Sequence, residues 1–391
     1  MLATVVRLTR DVDAAQDAVQ EAFAAALDAW RTAGVPANPG AWLTATARRK
    51  AVDARRREES VARRLPLLIV PEPSTGYGFP DDRLRLIFTC CHPALDVASR
   101  VALTLNVVCG LPTADIAHLF LVPEPTMAAR VTRAKRKLRA AGIPYRIPRD
   151  DELAERLPAV LVVVYLLFSQ GHTPGRGTAL TAADVAARAI DLARLLVLLL
   201  PDEPEVTGLL ALLLLTDARR PARLDADGSP VLLAEQDRTR WDRELIAEGT
   251  ALVEELPPGP YAVQAAIAAV HAAAARAADT DWPTILRLYD VLLRVHPSPV
   301  AALARCMAYA EVAGPAAGLD ALEAVAADQR LAGYHLLPAA RADLLRRSGR
   351  FDEASRAYAE AAGLAGNAVE REYLLSRSAG MATAVGGSLD L

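Results

Sequence analysis

The chain has 391 residues, a formal net charge of -3 and only 5% aromatic residues, so it is long enough for two or three domains, and its Ala, Leu and Arg bias predicts an all-α fold. Four cysteines without a repeating spacing exclude a disulfide framework and a zinc site, so neither metal nor cofactor is expected. No charged-then-apolar leader is present, and the apolar runs Ala159 to Phe168, Leu192 to Leu200 and Leu209 to Leu215 are too short to span a bilayer, which excludes a membrane partner and predicts a cytoplasmic protein.

The charge is unevenly spread. All three lysines, Lys50, Lys135 and Lys137, fall early in the chain, and Arg130 to Arg149 holds eight basic residues and no acidic one. A polyanion partner is therefore expected for the N-terminal part.

In chain order, Asp13 to Trp30 reads as a helix that sets Ala18, Phe23, Ala26 and Leu27 among acidic Asp17 and Glu21. Gly34, Pro36, Pro39 and Gly40 interrupt it before a second helix, AWLTATARRKAVDARRR, starts at Ala41 with Trp42, Leu43 and Val52 as core and a basic end. Residues 1–60 thus pair an acidic helix with a basic one; either these charges only solubilise two helices or each faces a partner. Residues 61–80, with Pro66, Pro71, Pro73, Gly76 and Gly78, read as a linker.

Residues 81–142 open with a helix, DDRLRLIFTC, followed by one around Ala98 to Cys109, in which Cys90 and Cys91 read as buried apolar thiols. Leu111 to Gly142 then has the pattern of a helix-turn-helix: Thr113 is placed to cap the first helix, Pro125 fits the first turn of the second, and Gly142 and Pro144 stop it. On the second helix Thr126, Arg130, Arg133 and Lys137 form one stripe, and Met127, Val131, Ala134 and Leu138 an adjacent apolar one. Arg130 and Arg133 can read guanine edges, while Lys135, Arg136, Lys137 and Arg139 suit phosphates; the other reading is a solvated basic face on an ordinary amphipathic helix. A second linker, 143–151, carries Pro144 and Pro148.

Residues 152–391 read as a long helical extension. Near its end Ala342, Leu345, Gly349, Phe351, Ala354, Tyr358 and Ala361 occupy the packing positions of a tetratricopeptide (TPR) unit, and Gly314 lies 35 positions before Gly349 in a degenerate echo. Stacked helix pairs would expose a concave surface for a partner protein; a plain helical bundle is the alternative. The six histidines are scattered and no phosphate loop, nucleophile motif or acid–base pair is visible, so no enzyme is expected. His172, in SQGHT, is the best ligand-site candidate, with a structural role as its alternative.

The order of these segments, DAAQDAVQEAF at Asp13 to Phe23, NPGAWLTATARRKAVDARRR at Asn38 to Arg57, a linker and a helix-turn-helix, resembles the extracytoplasmic-function sigma factors of the sigma-70 family. The extension, with YLLFSQGHT at Tyr165 to Thr173, DRTRWDRELIAEG at Asp237 to Gly249 and the TPR-like end, is similar to the subgroup that carries a C-terminal TPR-type domain. The resemblance implies that Asp17, Gln20 and Glu21 bind the beta-prime clamp helices of core RNA polymerase. It implies that Asn38, Arg48, Arg49, Lys50, Arg55, Arg56 and Arg57 serve the minus-10 element of promoter DNA. Thr126, Arg130 and Arg133, flanked by Lys135, Arg136 and Lys137, would face the minus-35 element. Relatives usually carry most of a helix ahead of Leu2, so region 2 is expected to be N-terminally incomplete, and Arg49 stands where many relatives carry Asn. The expected function is transcription initiation, regulated by the extension through intramolecular docking or a protein partner. The competing expectation is a helix-turn-helix regulator with a TPR-type sensor, dimeric on a palindromic site and independent of polymerase.

Overall fold

A computed structural model describes the chain except for residues 10, 63–81, 121, 142–147, 149, 178, 180 and 387–391, and except for the side chains of 55–62, 82, 83, 150, 151, 154 and 382–386. The expected 61–80 linker, most of the 143–151 linker and the stop signals Gly142 and Pro144 therefore lie outside the described residues. The described residues form α-helices, short 3-10 turns and two isolated bridges, without a strand. Two compact units result, Met1–Ala117 with Val122–Val163, and His118–Leu121 with Val164–Leu391.

The first unit contains α1 (Leu2–Thr9), α2 (Val12–Ala33), α3 (Pro39–Ala62), α4 (Asp82–Cys90), α5 (Val97–Val107), most of α6 (Thr113–Leu119), α7 (Glu124–Ala140) and the start of α8 (Asp150–His172). Asp11 caps α2, its carboxylate accepting from the backbone N–H of Asp13 at 2.8 Å and of Ala14 at 3.1 Å. The buried face of α2 is almost all alanine, Ala15, Ala18, Ala22 and Ala26 with Val19, which lets α1 and α3 approach closely. On α3 the fully buried residues are Thr46, Ala47 and Ala51, whereas the expected core residues Trp42, Leu43 and Val52 are half-buried. Trp42 meets Trp30 edge-on at 5.5 Å between centroids, which sets it at the rim where α2 ends and α3 begins. Thr113 is not a cap. It is the first helical residue of α6, and the Pro112 carbonyl already accepts from Asp115 and Ile116, each at 3.1 Å.

The start of α8 belongs to this unit because two buried guanidiniums tie it down. Arg100 on α5 donates to the Leu95 carbonyl at 2.8 Å and the Glu155 carbonyl at 3.0 Å, and Arg156 donates to the Phe88 carbonyl at 3.3 Å. The division between the two compact units falls inside α8, at Val163. Cys90 and Cys91 are fully buried beneath α5, and burial pushes the Cys91 thiol up to about 12.

The second unit continues with α9 (Ala183–Leu199), α10 (Pro204–Asp217), α11 (Arg243–Val253), α12 (Pro260–Ala273), α13 (Trp282–Val295), α14 (Pro299–Ala313), α15 (Pro315–Ala326), α16 (Leu336–Arg347), α17 (Phe351–Leu364) and α18 (Ala368–Gly386). From α12 onward each helix packs on the next in the chain, the pattern of stacked helical pairs. In the α16–α17 pair Ala342, Leu345, Ala354, Tyr358 and Ala361 form one buried cluster, as the TPR spacing requires. Phe351 departs from it, lying 36% exposed at the first turn of α17. Gly314 and Gly349 each lie between two helices with φ of 90° and 75°, a left-handed backbone that favours glycine, but Gly314 alone connects α14 to α15 whereas Gly349 sits in a longer turn, residues 348–350, before α17. Helix α10 is apolar on every face, with Val206 and Leu209 through Leu215 all buried, and serves as the axis on which α9, α11 and α12 pack.

Gly208 fixes the closest approach of α10 to α12. A Cβ there would lie 2.7 Å from the Ala262 nitrogen and 3.0 Å from its Cα. Gly208→Ala should gain about 1 kcal/mol in helix propensity and lose about 1–3 kcal/mol to overpacking against backbone. Net destabilisation is therefore expected, read as a lower urea midpoint at unchanged slope.

Candidate nucleic-acid interface

Helix α7 follows Pro123, whose extended backbone ends the preceding turn, and holds Pro125 in its first turn, where no N–H is needed. Met127, Val131, Ala134 and Leu138 are buried at 0%, 6%, 2% and 8% exposure, packed on α5, so the apolar stripe faces inward as its spacing predicts. Thr126, Arg133, Arg136 and Lys137 are exposed on the other side, and Arg130 is half-buried. Asp96, the cap of α5, is held below the usual carboxylate range chiefly by its bond to Ser99, with Arg130 adding a weaker pull.

Lys135 differs from its neighbours. Its ammonium donates to Gln16 Oε1 at 2.7 Å and lies 3.6 Å from Asp13 Oδ1, both on α2. One turn further, Arg139 pairs with Asp11 at 3.0 Å and with Asp13. The last turn of α7 and the first turn of α2 thus clasp each other. Each helix carries there the sign of charge its own dipole favours, acids at an N-terminus and bases at a C-terminus, so the two ends are complementary before they meet.

The residues expected to bind polymerase, Asp17, Gln20 and Glu21, are all exposed on α2. Phe23 and Leu27, 46% and 76% exposed, lie on the adjoining flank below Gln20, so an acidic strip at Asp17 and Glu21 runs beside an exposed apolar one. Glu21 is not free, since Lys50 on α3 reaches it at 3.4 Å. Part of the acidic–basic segregation of residues 1–60 is therefore internal pairing. Among the minus-10 candidates, Arg48 and Arg49 are exposed, Arg49 donating to the Thr46 hydroxyl at 3.3 Å, and the side chains of Arg55, Arg56 and Arg57 lie outside the described residues. Asn38 serves as the cap of α3, its Oδ1 accepting from the Ala41 N–H at 3.0 Å.

The structure therefore brings Lys135 to α2 and Lys50 to Glu21, and leaves Arg133, Arg136, Lys137, Arg48 and Arg49 facing outward. The clasp residues Asp11, Asp13 and Gln16 carried one legible signal, an Asp directly before an amphipathic run, and that signal predicts a cap and says nothing of a partner 119 residues away.

Residues 1–61 match the family model for sigma-70 region 2, residues 85–138 that for sigma-70 region 4, and residues 156–256 that for a family of unknown function, DUF6596. An uncharacterized protein of Rhizobium meliloti (strain 1021) is 41% identical over 387 residues, covering 95% of this chain and 91% of that protein. No solved structure matches.

Replacing Asp11 and Asp13 by Asn keeps the α2 cap, since Asn caps as well as Asp, and releases Lys135 and Arg139. Non-specific affinity for duplex DNA should rise, and the slope of log K against log salt should steepen by about 0.9 per added phosphate contact, measured by fluorescence anisotropy across a salt titration. An unchanged slope would place both cations outside the DNA path.

Proposed function

We propose that this chain, which belongs to the sigma-70 family as an extracytoplasmic-function-like sigma factor with a C-terminal helical extension, binds core RNA polymerase through α2 and directs it to minus-35 and minus-10 promoter elements. The observation that carries the reading is the division of α7, whose buried Met127, Val131, Ala134 and Leu138 turn Thr126, Arg133 and Lys137 outward. A helix so divided packs by one side and enters a major groove by the other. In this reading Arg130 and Arg133 read base edges, Arg136 and Lys137 neutralise phosphates, and Lys135 joins them once its hold on Asp13 and Gln16 is released.

The α2 strip supplies the second contact. Carboxylates beside the exposed side chains of Phe23 and Leu27 suit a cationic helical partner with an apolar seam, which supports the beta-prime clamp helices as its target. Asn38, Arg48, Arg49, Lys50 and the basic run at Arg55, Arg56 and Arg57 then serve the minus-10 element. Strand opening costs a few kcal/mol per unstacked step, and stacking and backbone contacts with the displaced strand offset it. Two weak DNA contacts held at fixed spacing by polymerase gain selectivity through effective concentration. No helix among the described residues is long and apolar enough to cross a membrane. The extension, in this proposal, regulates the DNA-binding part by docking on it or through a protein partner.

Two variants separate these roles. Asp17→Lys with Glu21→Lys should weaken co-purification with core polymerase at least 10-fold, about 1.4 kcal/mol. Arg133→Ala should leave assembly intact and lower run-off transcription from the cognate promoter by roughly 5- to 150-fold, the worth of one bidentate base contact of about 1–3 kcal/mol. Intact assembly of the charge-reversed protein, together with tight binding of the isolated chain to a palindromic duplex, would favour a polymerase-independent regulator instead.

A further inference from the structure

Four arginines converge at one end of α10 in the second unit, and their partners differ in kind. Arg220 pairs with Asp217 at 3.0 Å. Arg223 donates to the His172 carbonyl and, at 2.7 Å, to the Thr173 hydroxyl. Arg238, 6% exposed, donates to the carbonyls of His271 and Ala274, each at 2.7 Å, and its guanidinium lies 4.7 Å from the centre of the Trp241 ring. Carbonyls satisfy these donors without neutralising their charge. Arg219 has neither kind of partner: among the described residues no carboxylate and no side-chain acceptor meets it. Arg219 is surrounded by protein on most sides yet is only half-buried, so its unpaired guanidinium is not sealed from a ligand.

The walls of that position are polar and aromatic. His172 and His271 each present a buried Nδ1 without a protein partner. His172 stacks on Phe168 at 5.4 Å, His271 meets Trp282 edge-on at 5.2 Å, and Tyr165 lies against Tyr261 at 5.8 Å. Tyr289 is close enough to interact electrostatically with both Arg219 and Tyr165. Burial, reinforced by the surrounding arginines, pushes His172 down to about 2 and His271 to about 4, so both imidazoles are neutral at physiological pH. Arg219 is lowered to about 10 by burial and by Arg223 and Arg238, and it remains charged. The carboxylates of this region act on its other arginines, Asp217 pairing with Arg220 and both Asp217 and Glu370 acting on Arg223.

An enclosed charge without a counter-ion costs several kcal/mol, and Arg is the side chain whose planar fork best recognises carboxylate or phosphate. We infer that Arg219 anchors a binding site for a small organic anion, one with a carboxylate or phosphate group on the guanidinium and an aromatic or apolar body between Tyr165, Tyr289 and the two imidazoles. The neutral His172 and His271 supply hydrogen bonds that orient the ligand. The site lies wholly in the extension and does not depend on the polymerase reading, because binding is measured on the free chain.

The test uses the full chain with benzoate, phenyl phosphate and inorganic phosphate as probes, followed by calorimetry and thermal unfolding. Saturable binding is expected, with Tm rising by about 5 °C at a hundred-fold excess over Kd. Binding of benzoate alone identifies a carboxylate site, and binding of both phosphates identifies a phosphate site. Arg219→Met should weaken binding at least 10-fold while leaving the ligand-free protein as stable as the parent or more so, because an unpaired charge has been removed. Arg219→Lys, which keeps the charge and loses the fork, should fold normally and bind less tightly, and Arg220→Gln should bind as the parent does. If no probe binds the parent chain and Arg219→Met is destabilised, Arg219 is a structural residue and the inference fails.

Discussion

Asp11 and Asp13 hold Lys135 and Arg139, and these charge pairs bridge the two sigma-70 regions of the first unit alongside the packing of α1 on α4. Their members are partly exposed, with side-chain exposure of 56% for Arg139 against 34% for Asp11. Pairs of that kind are worth only about 0–1 kcal/mol each and weaken further as salt screens them. The clasp therefore adds to the packing of α1 on α4 and is weak enough to yield to a polyanion or to a partner that competes for α2. Charges that keep the two regions together when free are in part those proposed to work on DNA. Affinity for DNA and internal compactness are then opposed, and strengthening either one weakens the other.

How much of this was legible in the sequence depends on whether the signal was local. The helix-turn-helix, the inward stripe of α7 and the exposed Asp17 and Glu21 followed from spacing, because a 3.6-residue period assigns a side chain to a face without knowledge of the rest. Asn38 was read as a DNA contact because its position matched a motif, and its capping bond to Ala41 is local geometry that the motif obscured. Phe351 fitted the repeat pattern and yet is 36% exposed as the first residue of α17, where a helix end has fewer neighbours than its middle. The clasp and the Lys50–Glu21 pair had no sequence signal, as each joins helices whose relative placement is a tertiary result.

The end of α10 shows the same limit in a sharper form. Arg219, Arg220 and Arg223 stand together just beyond α10, and arginines so spaced are ordinarily solvated. Arg219 and Arg223 are instead half-buried, because α10 is covered along most of its length and its C-terminal end meets the elements packed around it, while Arg220 keeps 40% of its side chain exposed. The C-terminal end of its helix dipole favours nearby cations, by about 0.3–1 kcal/mol in ordinary settings. That is small against the several kcal/mol that enclosing a charge costs. Asp217 answers for one arginine, and two more are satisfied by carbonyls. For Arg219 no carboxylate of the chain answers, and the proposed anion would complete the balance of charge at the tip of an otherwise apolar axis.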